Sequence, residues 1–332
     1  MKTLLRILPL VAVWAVLASP AQAQDFDQFD FGLRLQATQS RFSRFSDVAA
    51  VGNASAGGKW SSSINPASMA WDPVDNMSAQ YSRIHFDNGT ELQVPAISVS
   101  FTPGDWGTVQ PSVAGITSND ATTQQGLGFK WDAVFVDLQW ALKTSDNLAV
   151  GATLSYSYSE IAFSAGGLTA AESRSTTYEI RGGALYEIGE GWFAGLVLDY
   201  ANVPSTTDTF IPAPSVTSDT IEQLLVWPGV SYKYKKWTAF ADYQFGLFTN
   251  DTQTMRTHRV FLGLNNEVTE AFSIRAGTAI DDRGNVSATV GIGIYPSAKL
   301  AIELAYQYDM FPEVALEFGR SELFGISISY VF

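Results

Sequence analysis

Between Val134 and Leu142 the apolar residues Val134, Val136, Leu138, Trp140 and Leu142 alternate with Phe135, Asp137, Gln139 and Ala141. Alternation this strict describes a β-strand with one apolar face and one mixed face. It restarts at Leu148, Val150, Ala152, Leu154, Tyr156 and Tyr158, opposed by Ala149, Gly151, Thr153, Ser155 and Ser157. Strands of the same kind are read at 178–186, 192–200, 226–234, 237–245, 259–265, 272–280, 286–294 and 300–308, with less regular ones at 77–84, 92–101 and 109–116. The chain ends on one more, Phe324 to Phe332, in which apolar and small residues alternate up to a terminal aromatic. In water such an edge would template aggregation, whereas in a closed membrane barrel it becomes the seam that pairs with the first strand.

The count is about fourteen, with twelve as the neighbouring even number, so the expected fold is all-β: a transmembrane antiparallel β-barrel. Connections at 143–147, 235–236 and 296–299 are short, while 160–175, 202–220 and 310–321 read as long outer loops. Trp140, Tyr156, Tyr158, Tyr200, Trp237, Tyr306, Tyr308 and Tyr330 lie near strand ends on the apolar face, the placement of interfacial girdles. A soluble β-sandwich would turn that face inward.

Composition agrees with this class. The mean hydropathy of +0.04 and the lack of a second long apolar run exclude a helical membrane bundle. A net charge of −13 argues against nucleic acid as a partner. The absence of Cys removes disulfides and thiolate metal sites. Lys2 and Arg6, the apolar run from Ile7 to Leu17 and the small-x-small triplet Ala21-Gln22-Ala23 read as a signal peptide over 1–23. The mature chain is then expected in the bacterial outer membrane. Residues 24–75 do not alternate and are too few to make their own core. They are expected to fold as a plug inside a barrel formed by 76–332, and they carry aromatic stretches from Phe26 to Phe31 and from Phe42 to Phe45.

Asn65-Pro66-Ala67, after the small-residue runs Ala56-Gly57-Gly58 and Ser61-Ser62-Ser63 and just before the first strand, resembles the Asn-Pro-Ala hatch motif of FadL-type outer-membrane transporters. That resemblance implies a fourteen-stranded monomeric barrel with an N-terminal hatch, which takes up long-chain fatty acids or other hydrophobic compounds. The C-terminal strand likewise resembles the signature read by the barrel assembly machinery. Two departures stand out: Lys59 and Trp60 occupy the region where an acidic residue is common in the family, and the chain is shorter than the fatty-acid transporters. The expected partners are a hydrophobic small-molecule ligand, outer-membrane lipid and lipopolysaccharide, and the assembly machinery.

Most inward positions are polar or small, and against them Phe135, Leu185, Phe193, Val197, Trp227, Phe240 and Phe261 stand out as ligand-binding candidates, with packing on the plug as their other reading. Phe26 and Phe29 are added from the mature N-terminus. Gly107, Pro111 and Gly115 cluster around the third strand, where Pro removes a ladder donor and Gly weakens pairing. The resemblance implies a lateral opening at that strand. Arg181, Arg259 and Arg275 on inward faces are expected to pair with Glu179, Asp199, Asp242 or Glu303, or one of them or Lys233 to receive a substrate carboxylate. Asp87, Asp208, Asp219, Asp251, Asp281, Asp282 and Glu313 read as solvated carboxylates of the outer loops, with bridging of divalent cations to lipopolysaccharide phosphates as the less favoured reading. With only His85, read in the loop after the first strand, and His258, and with no nucleophile, metal or phosphate motif, no enzyme and no cofactor is expected. The rival functions are an anchor or assembly factor for a secretion system and a porin for polar solutes.

Overall fold

The computed structural model describes residues 25–40, 49–58, 63–71, 73–211 and 213–332. The signal-peptide reading, the aromatic stretch from Phe42 to Phe45, and Lys59 and Trp60 lie outside the described residues. Strands occupy β1 (Asn76–Phe86), β2 (Glu91–Ser100), β3 (Thr108–Ser118), β4 (Ala121–Thr122), β5 (Gly128–Ser145), β6 (Leu148–Ala165), β7 (Leu168–Gly189) and β8 (Trp192–Thr209). They continue as β9 (Ser215–Tyr234), β10 (Trp237–Thr249), β11 (Thr254–Thr269), β12 (Phe272–Asp281), β13 (Val286–Ser297), β14 (Leu300–Tyr308) and β15 (Ser321–Val331).

Every neighbour in this sheet is antiparallel to the next, and it closes on itself. The first barrel strand meets the last from Asn76 opposite Val331 to Phe86 opposite Ser321. On the other side β3 pairs with β5 from Thr108 to Thr117, and the two-residue β4 continues that edge at Phe129 and Gly128. Counting β3 and β4 as one interrupted strand, the barrel has fourteen strands. Closure leaves no unpaired edge, which is how the apolar terminal strand is made safe.

Side-chain parity follows the sequence pattern. Val134, Leu138, Leu154 and Ile180 point outward, each about half exposed, while Asp137, Gln139, Thr153 and Asp199 are buried on the inside. Two expected outer loops are corrected. Segments 160–175 and 202–220 are mostly strand: β6 and β7 pair until the turn at Gly166 and Gly167, and β8 and β9 pair out to Thr209 and Ser215. These extensions are rich in Ser and Thr and mostly polar on the outward face, with Ile161, Phe163 and Val203 turned inward, so the backbone ladder continues where the outward apolar alternation stops. His85 also lies within β1 rather than in the loop that follows it. The third expected loop does connect β14 to β15, but it folds inward, through a 3-10 turn at Pro312–Val314 and a short helix α2 (Ala315–Phe318).

Candidate functional site

Three N-terminal stretches lie inside the barrel. The best defined is α1 (Phe31–Gln39), whose residues Leu33 to Thr38 are buried. Further along, Asn65 caps a 3-10 turn at Pro66–Ala70. Its Oδ1 accepts from the Ala67 N–H at 3.1 Å, while its Nδ2 donates to the carbonyls of Ala56 at 2.7 Å and Ala184 at 3.0 Å. One side chain therefore joins two N-terminal stretches to β7, which explains why an amide is needed: Asp would offer no donor. The wall makes room by omission, since a Cβ at Gly183 or Gly195 would overlap Asn65 or the Ala56 carbonyl. Opposite, Asp242 accepts the Ala56 N–H at 2.6 Å and Ser231 donates to the Gly57 carbonyl at 2.8 Å. Asp242 thus holds backbone, not an arginine.

The nine expected ligand-binding side chains are dispersed. Leu185 and Phe193 pack on Ala67 and Ala70 of the capped turn. Val197, Trp227, Phe240 and Phe261 form a second cluster with Val51, Ala54, Ala56 and Ile64. Phe29 and Phe26 belong to a third cluster, with Leu33, Val203, Leu225 and Phe248. Only Phe135 borders a cavity of substance. The other six wall side chains pack on the N-terminal stretches, and Phe26 and Phe29 belong to such a stretch themselves.

The cavity that Phe135 borders lies at the end of the lumen remote from the C-terminus. It has a volume of about 60 Å³, and its lining is apolar: Leu35 of α1, Ile84 and Phe86 of β1, Leu92, Ile116, Trp131, and Phe311, Val314 and Phe318 of the inward-folded connection, among others. Phe318 closes it, with its ring centroid 4.7 Å from Phe129 and 5.3 Å from Phe86. Trp131 is fixed by its indole N–H, which donates to Ser159 Oγ at 2.8 Å. Two buried ion pairs clamp the lid to α1 and to the wall. Arg34 donates to both carboxylate oxygens of Glu317, at 2.7 and 2.5 Å, and to the Glu313 carbonyl. Arg259 donates to Glu313 Oε1 at 2.6 Å, to Gln244 and to the Ala37 carbonyl. Glu313, expected as a solvated surface carboxylate, is completely buried, because the connection that carries it turns into the barrel where Arg259 waits.

Toward the middle of the barrel, Gln39 and Phe135 also line a second cavity of about 90 Å³ whose other walls are polar: Asp137, Gln139, Thr153, Ser157, Thr177, Glu179 and Arg181 among them. Arg181 donates to Asp199 at 2.7 Å, to Glu179 at 3.0 Å and to the Ser63 carbonyl at 2.5 Å. At the end that holds the C-terminus is a polar vestibule of about 600 Å³, where Arg275 pairs with Glu303 and Tyr295. Two of the four expected carboxylate partners, Glu179 and Asp199, thus meet Arg181, and Glu303 meets Arg275. Lys233 pairs with Glu267 at 2.8 Å.

Gly107 precedes β3 with φ of +87° and lies where a Cβ would overlap the Ala141 carbonyl, so it serves the turn into the strand. Pro111 and Gly115 both lie on outward positions of β3. Pairing of β3 with β5 runs unbroken past them, but pairing with β2 does not. Val94 and Pro95 have no ladder partners opposite Gly115 and Ile116, and Val99 and Ser100 have none opposite Gln110 and Pro111. Two prolines without N–H donors, Pro95 and Pro111, account for the gaps. Between the gaps a small hollow is bordered by inward Ser78, Ala96 and Ser112 together with outward Ile97 and Val113. Of the two histidines, His85 lies 3.5 Å from Glu91, and His258 Nδ1 lies 2.6 Å from Tyr243 Oη on the outer face. Neither hydrogen-bonds a serine among the described residues.

The described residues thus form a closed antiparallel β-barrel whose inward face carries described N-terminal stretches and the inward-folded β14–β15 connection. Its fold is similar to that of CymD, a monoaromatic hydrocarbon channel, with a TM-score of 0.61 and 13% identity over 86% of this chain and 97% of that one. It is also similar to the toluene transporter TodX of P. putida, with a TM-score of 0.58 and 12% identity over 88% of this chain and 98% of TodX. A FadL homologue of Pseudomonas aeruginosa superimposes with a TM-score of 0.55 and 11% identity, covering 88% of this chain and 95% of that chain. At these identities the likeness is one of fold. No protein-family model matches the chain, and no curated protein matches it.

Proposed function

We propose that this chain sits in the bacterial outer membrane as a monomeric barrel and passively conducts hydrophobic small molecules, with residues 24–75 as a hatch and 76–332 as the wall. The observation that carries this reading is the apolar cavity under Phe318. A diffusion pore for polar solutes has no use for a lumenal chamber walled by Phe86, Phe129, Trp131, Phe135 and Phe311, whereas a hydrophobic solute needs such a place to leave water. The outward apolar band and its aromatic borders support a lipid setting. The described fold neighbours that are hydrocarbon channels support the same solute class. Uptake is driven by the gradient, and the exit is lateral, through the interrupted β2–β3 seam around Pro95, Pro111 and Gly115. The porin reading loses support because α1 and the β14–β15 connection fill the bore.

The test is accumulation of labelled toluene by cells with intact lipopolysaccharide that express the chain, against cells carrying an empty vector and cells carrying Trp131→Asp. Correct assembly of both proteins is checked by heat-modifiable gel mobility. Faster accumulation with the native chain, lost in Trp131→Asp, is expected. Accumulation equal to the empty vector would overturn the proposal.

A further inference from the structure

Closure pairs the strands within the wall, but at the end remote from the C-terminus the hairpins differ in length, and β6 to β9 rise past their neighbours as a four-stranded flap. Its two borders are unlike. On one side β5 stays with β6 as far as Gly128 opposite Ser164. On the other, β10 leaves β9 at Thr249 opposite Glu222, while β9 runs on to Ser215 with β8 as its one ladder partner among the described residues. Residues 215–221, about 20 Å of strand, therefore have an open flank. Ser205 Oγ donates to the Asp219 carbonyl from the β8 side, and the Thr220 N–H is taken by Asp219 Oδ1. Asp219 thus faces β8, and by alternation Thr220, Ser218 and Val216 turn their N–H and C=O groups to the open side. Ser215 to Ser218 are exposed, Val216 at 69%. Edges left open in water are commonly guarded by proline, lysine or a bulge. Ser215 to Ile221 holds no proline or lysine, its register with β8 does not shift, and its acid, Asp219, is tied to Asn250.

We propose that this flank is a docking edge for an extended, basic segment of a partner polypeptide, which adds to β9 as one more strand. A row of ladder groups is matched by an extended chain and not by a compact surface. Charge selects among extended chains. Segments 160–175 and 202–222 carry five carboxylates, Glu160, Glu172, Asp208, Asp219 and Glu222, against one cation, Arg174, which already pairs with Glu160, Glu172 and Asp208. A second copy in the same membrane would bring its own Asp219 and Glu222 to the contact, and its strand would run parallel, the weaker pairing. The tip of the flap adds apolar surface for alternate side chains of the partner: Phe210 and Ile211 donate to the Ala170 carbonyl and stay exposed, as does Val216. The edge lies beyond the aromatic girdle at Tyr200, which is paired with Leu224, so the partner reaches it without entering the lumen. The proposal needs the outer-membrane placement given above and is independent of what the lumen conducts.

The experiment is fluorescence anisotropy of the full chain in phosphatidylcholine nanodiscs at pH 7 and about 0.15 M salt, with empty discs subtracted. Three labelled peptides of strand length serve as probes: one alternating lysine with valine, one alternating glutamate with valine, and the lysine peptide with every backbone amide N-methylated. The last keeps charge and side chains but has no ladder donors. The native chain is expected to bind the lysine peptide at least about tenfold more tightly than either of the others. Ser218→Pro puts a missing N–H on the open flank and spares the ladder with β8, so it should weaken the lysine peptide about tenfold, whereas Ser218→Ala should keep the native affinity. A methylated peptide bound as tightly as its parent would mean charge attraction without strand addition and overturn the proposal. So would a glutamate peptide bound as tightly as the lysine one, unchanged binding in Ser218→Pro, or binding of none of the three. The peptide comparison on the native chain decides the matter even if Ser218→Pro fails to assemble.

Discussion

The two ends of the lumen are built on opposite principles. At the end remote from the C-terminus, here the outer end, aromatic rings from β1, β5 and the β14–β15 connection close over an apolar cavity of about 60 Å³, and the charges present there, Arg34, Arg259, Glu313 and Glu317, are buried and paired. At the inner end a vestibule of about 600 Å³ is lined by Asn76, Ser78, Gln110, Glu267, Arg275, Glu303 and other mostly polar residues. A hydrophobic solute that reached the inner end along the axis would leave an apolar site for a wet one, at a cost of about 25 cal/mol for each Å² of apolar surface returned to water. Under the proposed uptake, that asymmetry would favour departure through the wall, and the proposed exit is the interrupted pairing of β2 with β3.

The largest test of the contrast compares the two arginines. Arg259→Ala leaves Glu313 buried at 0% exposure without its partner, which should cost about 3–5 kcal/mol. Arg275→Ala leaves Glu303, which borders the vestibule and keeps the Tyr295 hydroxyl as a donor, so the loss should be smaller, about 2 kcal/mol. Urea unfolding followed by tryptophan fluorescence measures both. Equal losses would mean that the outer end is as wet as the inner one. Next comes Phe318→Ala, which removes the ring that closes the cavity and should destabilise by about 3 kcal/mol. It should also admit larger aromatics than the native chain, read as a shift in the size dependence of binding. Tyr295→Phe in the vestibule should change neither size dependence nor, beyond about 1 kcal/mol, stability.

How much of this was legible in the sequence differs between the same two ends. The strand count and the facing of Val134 to Leu142 follow from alternation alone, because an apolar exterior and a small or polar interior differ at every step. The inward run Phe129, Trp131, Ala133 and Phe135 continues that parity upstream and was there to be read, although the charged Lys130 and Asp132 between them mask the apolar face. The Ser- and Thr-rich extensions of β6 to β9 were not legible, since nothing in their hydropathy separates a ladder in solvent from a loop. Nor was the inward fold of the β14–β15 connection, which depends on long-range partners: Arg34 and Arg259 lie far away in the chain. The hint was composition, with Met310, Phe311, Val314 and Phe318 too apolar for an outer loop. For the candidate ligand residues on the strands, parity alone cannot tell a side chain that faces a cavity from one that faces another part of the chain, and six of the seven pack on N-terminal stretches.

Asn65→Ala probes the floor between the two ends. It removes the cap of the 3-10 turn and two donated hydrogen bonds, to Ala56 and Ala184, for an expected loss of about 2 kcal/mol. The readout that matters is conductance in a planar bilayer. If the N-terminal segments keep the ends apart, small ions should pass in Asn65→Ala and not in the native chain, and unchanged conductance would assign the barrier to the β14–β15 connection instead.

The smallest expected effect bears on the exit. Pro95→Val gives β2 an N–H opposite Gly115, where the ladder with β3 is missing, and Val suits a half-exposed strand position better than Pro does. One more backbone hydrogen bond should stabilise the barrel by about 1 kcal/mol. Were departure axial, a better-knit wall would leave uptake unchanged or slightly improved, because nothing in the bore has been touched. If departure is lateral, the same substitution must slow uptake while raising stability, since the gap that weakens the sheet is the gap the solute uses. Opposite changes in unfolding midpoint and in toluene accumulation, measured on one variant, are therefore the expected signature. Uptake that follows stability upward would place the exit elsewhere and leave the polar vestibule as the way out.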